Sequence, residues 1–256
     1  MPSPIRLIST DFDGTLVSHE NDPVFDRDCM ELIRELQLDG AVWAINTGRS
    51  VGLLVEGLED FAFPMQPDFI LTNERDVFRS TERGWEPYGD WNERCAKTHA
   101  ELYETASSVL AEVVDYVTRQ TKARVIYEAD EPAGLIAASE EEMDRLTDFI
   151  DQAKAGEPKF HYQRNTVYLR FCHADYHKGA ALEELSRLTE IPHANIFAAG
   201  DHHNDLSMLD GRYAALPACP ANAIAAVKET VRRAGGYVAQ REFGVGVHEA
   251  LQHFLS

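Results

Sequence analysis

Three short apolar runs, at residues 5–8, 41–45 and 196–199, decide what this chain can fold into. Each has the length of a buried strand, and each runs straight into polar residues. Apolar runs this short, the first interrupted only by Arg6, read as strands covered on both faces, the habit of parallel sheets. Helical patterns stand between them. Phe25, Leu32, Ile33 and Leu36 share one helical face; Pro23 opens that segment and Asp39-Gly40 closes it, glycine suiting a C-terminal cap. Val51, Leu54, Val55 and Leu58 mark a second helix, and residues 69–71 a further strand. Strand, helix, strand, helix, strand implies an α/β fold with a doubly wound parallel, Rossmann-like sheet. Open sheets of that kind hold their ligands at the carboxyl ends of the strands.

The polar residues that follow the runs carry chemistry. The first run leads into Asp11-Phe12-Asp13-Gly14-Thr15. Residues two apart in extended chain point to one side, so Asp11 and Asp13 project together. Two carboxylates ~4 Å apart repel by about 4 kcal/mol at an effective dielectric near 20. A cation or a shared proton must offset that; the plain alternative is a capped turn with two solvated acids. The second run leads into Asn46-Thr47-Gly48-Arg49-Ser50, whose hydroxyl and N–H groups can hold a phosphoryl oxygen. Thr47 could instead cap the next helix, and Arg49 could form a surface ion pair.

Lys178-Gly179 opens a helix carrying Leu182, Leu185 and Leu188. A cation at a helix N-terminus is disfavoured by up to ~1 kcal/mol unless anions lie nearby. The last run ends in Gly200-Asp201-His202-His203-Asn204-Asp205, where the spacing of Asp201 and Asp205 puts both on one face of a helix start. Acids in a first helical turn are also commonplace.

Between residues 76 and 173 the pattern changes. Strand-like pieces at 77–78, 85–88, 124–127 and 135–137 are mixed with helices at 91–119 and 140–154. A hairpin follows at 160–171, turning around Arg164-Asn165. Pairing by hairpins marks an α+β module inserted between 1–75 and 174–256. After it, 214–216 is strand-like and 221–231 and 245–254 are helical.

With 24 basic and 43 acidic residues the net charge is −19. That disfavours binding to a nucleic-acid backbone and means a phosphate site needs local positive charge. The four cysteines form no C-x-x-C pair, which argues against zinc and disulfides and fits a reducing cytoplasm. Residues 1–6 lack a leader's apolar region, and no segment has the length of a membrane span. Nothing in the sequence speaks to oligomeric state.

Taken together, Asp11-Phe12-Asp13-Gly14-Thr15, Thr47-Gly48-Arg49, Lys178 and Gly200-Asp201…Asn204-Asp205 resemble the four motifs of the haloacid-dehalogenase-like (HAD) phosphohydrolases, over residues 5–75 and 174–256. The place of the insertion resembles the Cof-type and sucrose-phosphatase-like branch, which carries an α/β cap. The resemblance implies a Mg2+-dependent phosphatase acting on a small phosphorylated metabolite, a phosphosugar by preference, through an aspartyl-phosphate. It makes Asp11 the nucleophile and Asp13, kept protonated by its neighbours, the general acid and base. Lys178 would bridge nucleophile and phosphate. Gly14, Thr47, Gly48, Arg49 and Asn204 would bind substrate. Asp11, the Asp13 backbone carbonyl and Asp201 would hold the metal, with Asp205 in support.

The chain departs from the pattern at Asn73-Glu74, where that branch often has Asn-Gly, glycine taking positive φ freely. His202-His203 is also unusual; His203 is either a loop residue or a substrate or metal contact. His173 and His177 read as paired surface histidines. Specificity is expected in the cap around 161–165. The rival readings are a phosphosugar mutase of the phosphomannomutase type and a phospho-ligand sensor without turnover.

Overall fold

All three apolar runs lie in one sheet, side by side. The computed structural model describes residues 5–128 and 130–256; residues 1–4, part of the stretch read as lacking a leader, lie outside them. In chain order the elements are β1 (Leu7–Thr10), α1 (Arg27–Leu38), β2 (Val42–Asn46), α2 (Val51–Asp60), β3 (Phe69–Thr72), β4 (Asp76–Thr81) and β5 (Gly84–Pro87). There follow α3 (Trp91–Thr105), α4 (Ser107–Gln120), β6 (Arg124–Glu128), β7 (Glu131–Ile136), α5 (Glu140–Ala153), β8 (Phe160–Asn165) and β9 (Tyr168–His173). The chain closes with α6 (Lys178–Thr189), β10 (Ile196–Ala199), α7 (Leu206–Leu209), β11 (Leu216–Cys219), α8 (Ala225–Arg233), β12 (Tyr237–Val238) and α9 (Phe243–Leu255). Two units result, Met1–Asn92 with Lys178–Ser256, and Glu93–His177.

The first unit holds a sheet in the order β12-β11-β10-β1-β2-β3-β4-β5. It is parallel from β12 to β3, while β4 and β5 run antiparallel. Ile8, Trp43, Ile45, Ile70 and Phe197 form its buried centre together with Ile33 and Leu36 of α1 and Val247 and Leu251 of α9. Strands β2 and β3 lie on one side of β1 and β10 to β12 on the other, so the topological switch falls at β1. Register then places the chemistry. Thr10 pairs with Ile45 on one side and Ala199 on the other. Asp11, Asn46 and Gly200 therefore leave the sheet at one height, at its carboxyl edge.

Several boundaries differ from those read in the sequence. Residues 76–87 belong to the large sheet, not to the insertion, because the short turn after β3 can only return the chain as an antiparallel neighbour. Asn92 then binds both backbone groups of Val77, and the Trp91 indole donates to the Arg75 carbonyl. Those bonds hold the chain to this unit as far as Asn92. Helix α1 starts at Arg27 rather than at Pro23, since Asp26 caps it by accepting from the Cys29 N–H at 2.8 Å. The strand read at 214–216 is β11, shifted to Leu216–Cys219 and running through Pro217, and α8 begins at Ala225 rather than at 221. The two-residue β12 left no apolar run to be read.

The second unit is an antiparallel sheet, β6-β7-β9-β8. Val109, Leu110, Val113 and Val117 of α4 and Met143, Leu146 and Ile150 of α5 form a core with Leu135, Phe160, Leu169 and Phe171. The single helix expected over 91–119 is two, interrupted at Ala106, where the Thr105 hydroxyl bonds back to the carbonyls of Glu101 and Leu102. The hairpin turns at Thr166-Val167, with Thr166 at φ 49°; Arg164 and Asn165 are still paired with Leu169 and Tyr168. His173 is buried rather than on the surface: its N–H donates to His99 Nε2, and its ring lies against His99 and Tyr176. No described helix is long and apolar enough to cross a membrane, and the four cysteines, all buried, form no disulfide.

Candidate active site

β1 delivers Asp11, whose N–H continues the ladder to Ala199 O at 2.9 Å. Its carboxylate is buried and meets Lys178 Nζ at 2.8 Å. The same ammonium lies 2.7 Å from Asp205 Oδ1 and is fully buried. Asn46, at the end of β2, donates to the Lys178 carbonyl at 3.1 Å and so fixes the start of α6. Asp205 turns its other oxygen back on the loop, accepting from the N–H groups of Asp201 at 2.8 Å and His202 at 2.9 Å. Asp201 accepts from the Thr15 hydroxyl at 2.8 Å. One carboxylate oxygen from each of Asp11, Asp201 and Asp205 lies within 4.8 Å of the others.

Electrostatics follow from that crowding. Burial lifts the Asp11 carboxyl well above its ordinary pKa; Lys178 opposes the lift, and Asp205 and Asp201 add to it. Burial and the charge of Asp205 push Asp201 up to about 7, against the Thr15 hydrogen bond and Lys178. Burial alone would drive the Lys178 ammonium down, but Asp11, Asp205 and Glu74 outweigh it and hold the amine above the usual lysine range. Three converging carboxylates against one amine leave an excess of negative charge with only oxygen donors. Such a donor set fits a hard divalent cation such as Mg2+.

The loop after β1 is shaped to reach this cluster. Gly14 has φ 78°, and a Cβ there would fall 2.5 Å from Asp201 Oδ2, so only glycine fits. The Gly14 carbonyl accepts from Asn222 Nδ2 at 2.7 Å. Asp13 points elsewhere. Its carboxylate is gripped by Arg49, Nε to Oδ2 at 2.7 Å and Nη2 to Oδ1 at 2.6 Å, and His19 Nε2 lies 2.9 Å from Oδ1. Partial burial would raise the Asp13 pKa, but the hydrogen bonds and charge of Arg49, joined by His19, bring it below the usual carboxylate range. Here the neighbours of Asp13 keep it ionised, contrary to the expectation that they keep it protonated. Arg49 also stacks over Phe12 at 5.0 Å and is spent on Asp13 rather than turned to a ligand.

Thr47 is buried, its N–H bound to Leu71 O at 2.8 Å and its hydroxyl accepting from the Arg49 N–H at 3.2 Å. It does not cap α2; Ser50 does, accepting from the Leu53 N–H. Asp201 precedes the helical turn at His203–Asp205 instead of sharing a helix face with Asp205. His202 caps that turn, which gives the unusual histidine pair a local structural role.

Two residues of the cluster were not assigned from the sequence. Asn46 carried no family signal. Glu74 stands in sequence only as a departure where glycine is common, yet it is buried, with Oε1 accepting from Asn204 Nδ2 at 3.1 Å. An acid two residues after the end of β3 is the available signal.

The sequence model of the sucrose-6F-phosphate phosphohydrolase family matches residues 4–255. The chain belongs to that family. It is thus a HAD-type phosphatase, a phosphoric monoester hydrolase. None of the curated proteins compared with it matches. Among solved structures, the sucrose-phosphatase of Synechocystis sp. PCC6803, in complex with sucrose and phosphate, is 19% identical over 97% of each chain with a TM-score of 0.71. A HAD subclass IIB sugar phosphatase is 19% identical over 97% of this chain and 98% of its own, at 0.64. A HAD-superfamily phosphatase from Bacteroides thetaiotaomicron is 17% identical over 98% and 95%, at 0.63. These likenesses extend over both units of this phosphatase.

Proposed function

We propose that this phosphatase hydrolyses a small phosphosugar with Mg2+ through an aspartyl-phosphate, an acyl phosphate on Asp11. The observation that carries the reading is the convergence of Asp11, Asp201, Asp205 and Lys178, drawn from the ends of β1 and β10 and the start of α6 onto one buried point. Asp11, Asp201 and the Asp13 backbone carbonyl would hold the ion, with Asp205 steadying the loop. When bound, Mg2+ would offset the repulsion between Asp11 and a phosphoryl dianion.

Asp11 attacks phosphorus, and the bond to the leaving oxygen breaks as the acyl phosphate forms. Lys178, the Thr47 hydroxyl, the Gly48 N–H and the Asn204 amide would hold the equatorial oxygens. Asp13 gives the leaving alkoxide a proton and later takes one from the water that cleaves the Asp11 acyl phosphate. The Arg49 pair suits Asp13 to the second of these steps; for the first, the carboxyl must be protonated and so loosen from Arg49. Selection of the leaving group is assigned to the inserted unit by family resemblance.

Phosphate release from a panel of sugar phosphates, with Mg2+ and then with chelator, tests the reading. Hydrolysis of several esters that stops with chelator is the expected result. Isomerised monophosphate without free phosphate would replace it with the mutase.

Cation binding should also show a distinctive pH dependence. The raised pKa values mean that the folded cluster keeps protons the unfolded chain gives up above about pH 4. Without a cation, this cluster therefore loses stability for the fold as pH rises through that window toward 7. A cation binds the deprotonated cluster and reverses the loss. Mg2+ at about a hundred times its Kd should raise Tm by several degrees near pH 8 and by almost nothing near pH 5. Differential scanning fluorimetry can check this, with Asp201→Asn as the control that removes the shift. An equal shift at both pH values would contradict the assignment.

A further inference from the structure

Glu74 departs from what its backbone and its burial favour. It takes φ 69°, beside Asn73 at 51°, a left-handed pair that glycine and asparagine accept more readily than glutamate. Its N–H is tied to Thr47 O at 3.1 Å, and that of Asn73 to Arg49 O at 2.9 Å. The turn therefore swings the Glu74 side chain over the loop after β2. There its Oε1 would stand 2.6 Å from a Cβ at Gly48, so the carboxylate rests on the face of that glycine. The same oxygen accepts from Asn204 Nδ2, and the carboxylate's charge acts on Lys178. The Asn204 side-chain carbonyl oxygen is buried and has no hydrogen-bond partner among the described residues. Strain and a buried charge at one position are features that persist when a site uses them.

We propose that Glu74 is a specificity-determining residue of the phosphoryl pocket, a built-in anion whose carboxylate occupies Asn204 and the face of Gly48 and which an incoming phosphate must displace. This rests on the reading that Thr47, Gly48, Asn204 and Lys178 receive the phosphoryl group. An anion already held among those groups lowers the affinity for a second one. Its effect falls on the ester in the ground state and on the inorganic phosphate left after hydrolysis, so it speeds departure of that product. Asn204 is thereby shared between two acceptors, one belonging to the chain and one to the ligand.

Glu74→Gln tests the charge while keeping the size and an oxygen for Asn204. Glu74→Gly tests the whole side chain and relieves the left-handed backbone. The probe is inorganic phosphate, titrated calorimetrically into each protein with Mg2+ present, alongside KM for the best sugar phosphate of the screen. Removing one like charge at this range should tighten phosphate about tenfold or more in both variants and lower KM in step. A purely structural role would instead lower Tm without tightening phosphate. Phosphate affinity equal to or weaker than wild type would overturn the proposal. So would a raised KM with unchanged phosphate affinity, which would make Glu74 a contact of the leaving group. If the wild type hydrolyses sugar phosphates and only the tightening is missing, this proposal alone falls. If none of the three proteins binds phosphate, the pocket assignment falls with it.

Discussion

Asp11→Asn should fold normally and release phosphate at least ~10⁴-fold more slowly than wild type, the scale of losing a covalent nucleophile. An amide has no charged oxygen with which to attack phosphorus. It keeps a carbonyl oxygen for Lys178, 2.8 Å from the carboxylate in the wild type, so the geometry survives. The expected stability effect has the opposite sign to the activity effect. In the metal-free wild type one carboxylate oxygen from each of Asp11, Asp201 and Asp205 lies within 4.8 Å of the others, and burial strengthens the repulsion between like charges there. Removing one charge relieves it, so Tm of the metal-free variant should match or exceed wild type. Such a trade of stability against activity is common where an active site concentrates like charges. Single-turnover phosphate release and a melting curve in chelator check both halves. Turnover within a hundredfold of wild type would rule out Asp11 as the nucleophile.

The parts of this site visible in the sequence are those that strand ends specify. Asp11, Thr47 and Asp201 each follow an apolar run, and once β1, β2 and β10 are neighbours their register brings the three to one edge. Lys178 was legible because a cation opening a helix asks for anions nearby, and the fold supplies Asp11 and Asp205. What could not be read depends on side-chain contacts over long separations. Arg49 is separated from Asp13 by a whole helix and strand, so nothing local says that it grips Asp13 and holds it ionised. Asn46 acts through the backbone of Lys178, and Glu74 through Asn204; neither contact leaves a pattern in the chain. The boundary of the insertion failed for a different reason. Strands β4 and β5 pair as a hairpin, and hairpin pairing in sequence looks the same in an inserted module and in an antiparallel pair that extends the edge of a parallel sheet.

Lys178→Met should destabilise the fold as well as the reaction, and the two effects can be separated by pH. In the wild type the ammonium is fully buried and bonded to two carboxylates, Asp11 and Asp205. Methionine fits the space but leaves those acids, with Asp201 and Glu74 close by, without an amine among them. Breaking a buried ionic cluster by removing one partner costs about 3–5 kcal/mol, because the remaining charges stay desolvated. For a chain of this size that is a fall in Tm of about 10 °C near pH 8 in chelator. Since the cost comes from ionised carboxylates, it should shrink as pH drops toward 5 and protons return to Asp11 and Asp201. Saturating Mg2+ should restore part of it at pH 8. Activity should stay at least ~10³-fold down even with Mg2+ and at temperatures where the variant is folded, because a cation held by the acids does not replace a donor aimed at the phosphoryl oxygens. Lys178→Arg should not rescue it: the planar guanidinium is larger and cannot present a point charge between two acids under 3 Å away on either side. A Lys178→Met protein as stable as wild type near pH 8 in chelator would mean the acids are neutral there, and the charge balance derived for this site would be wrong.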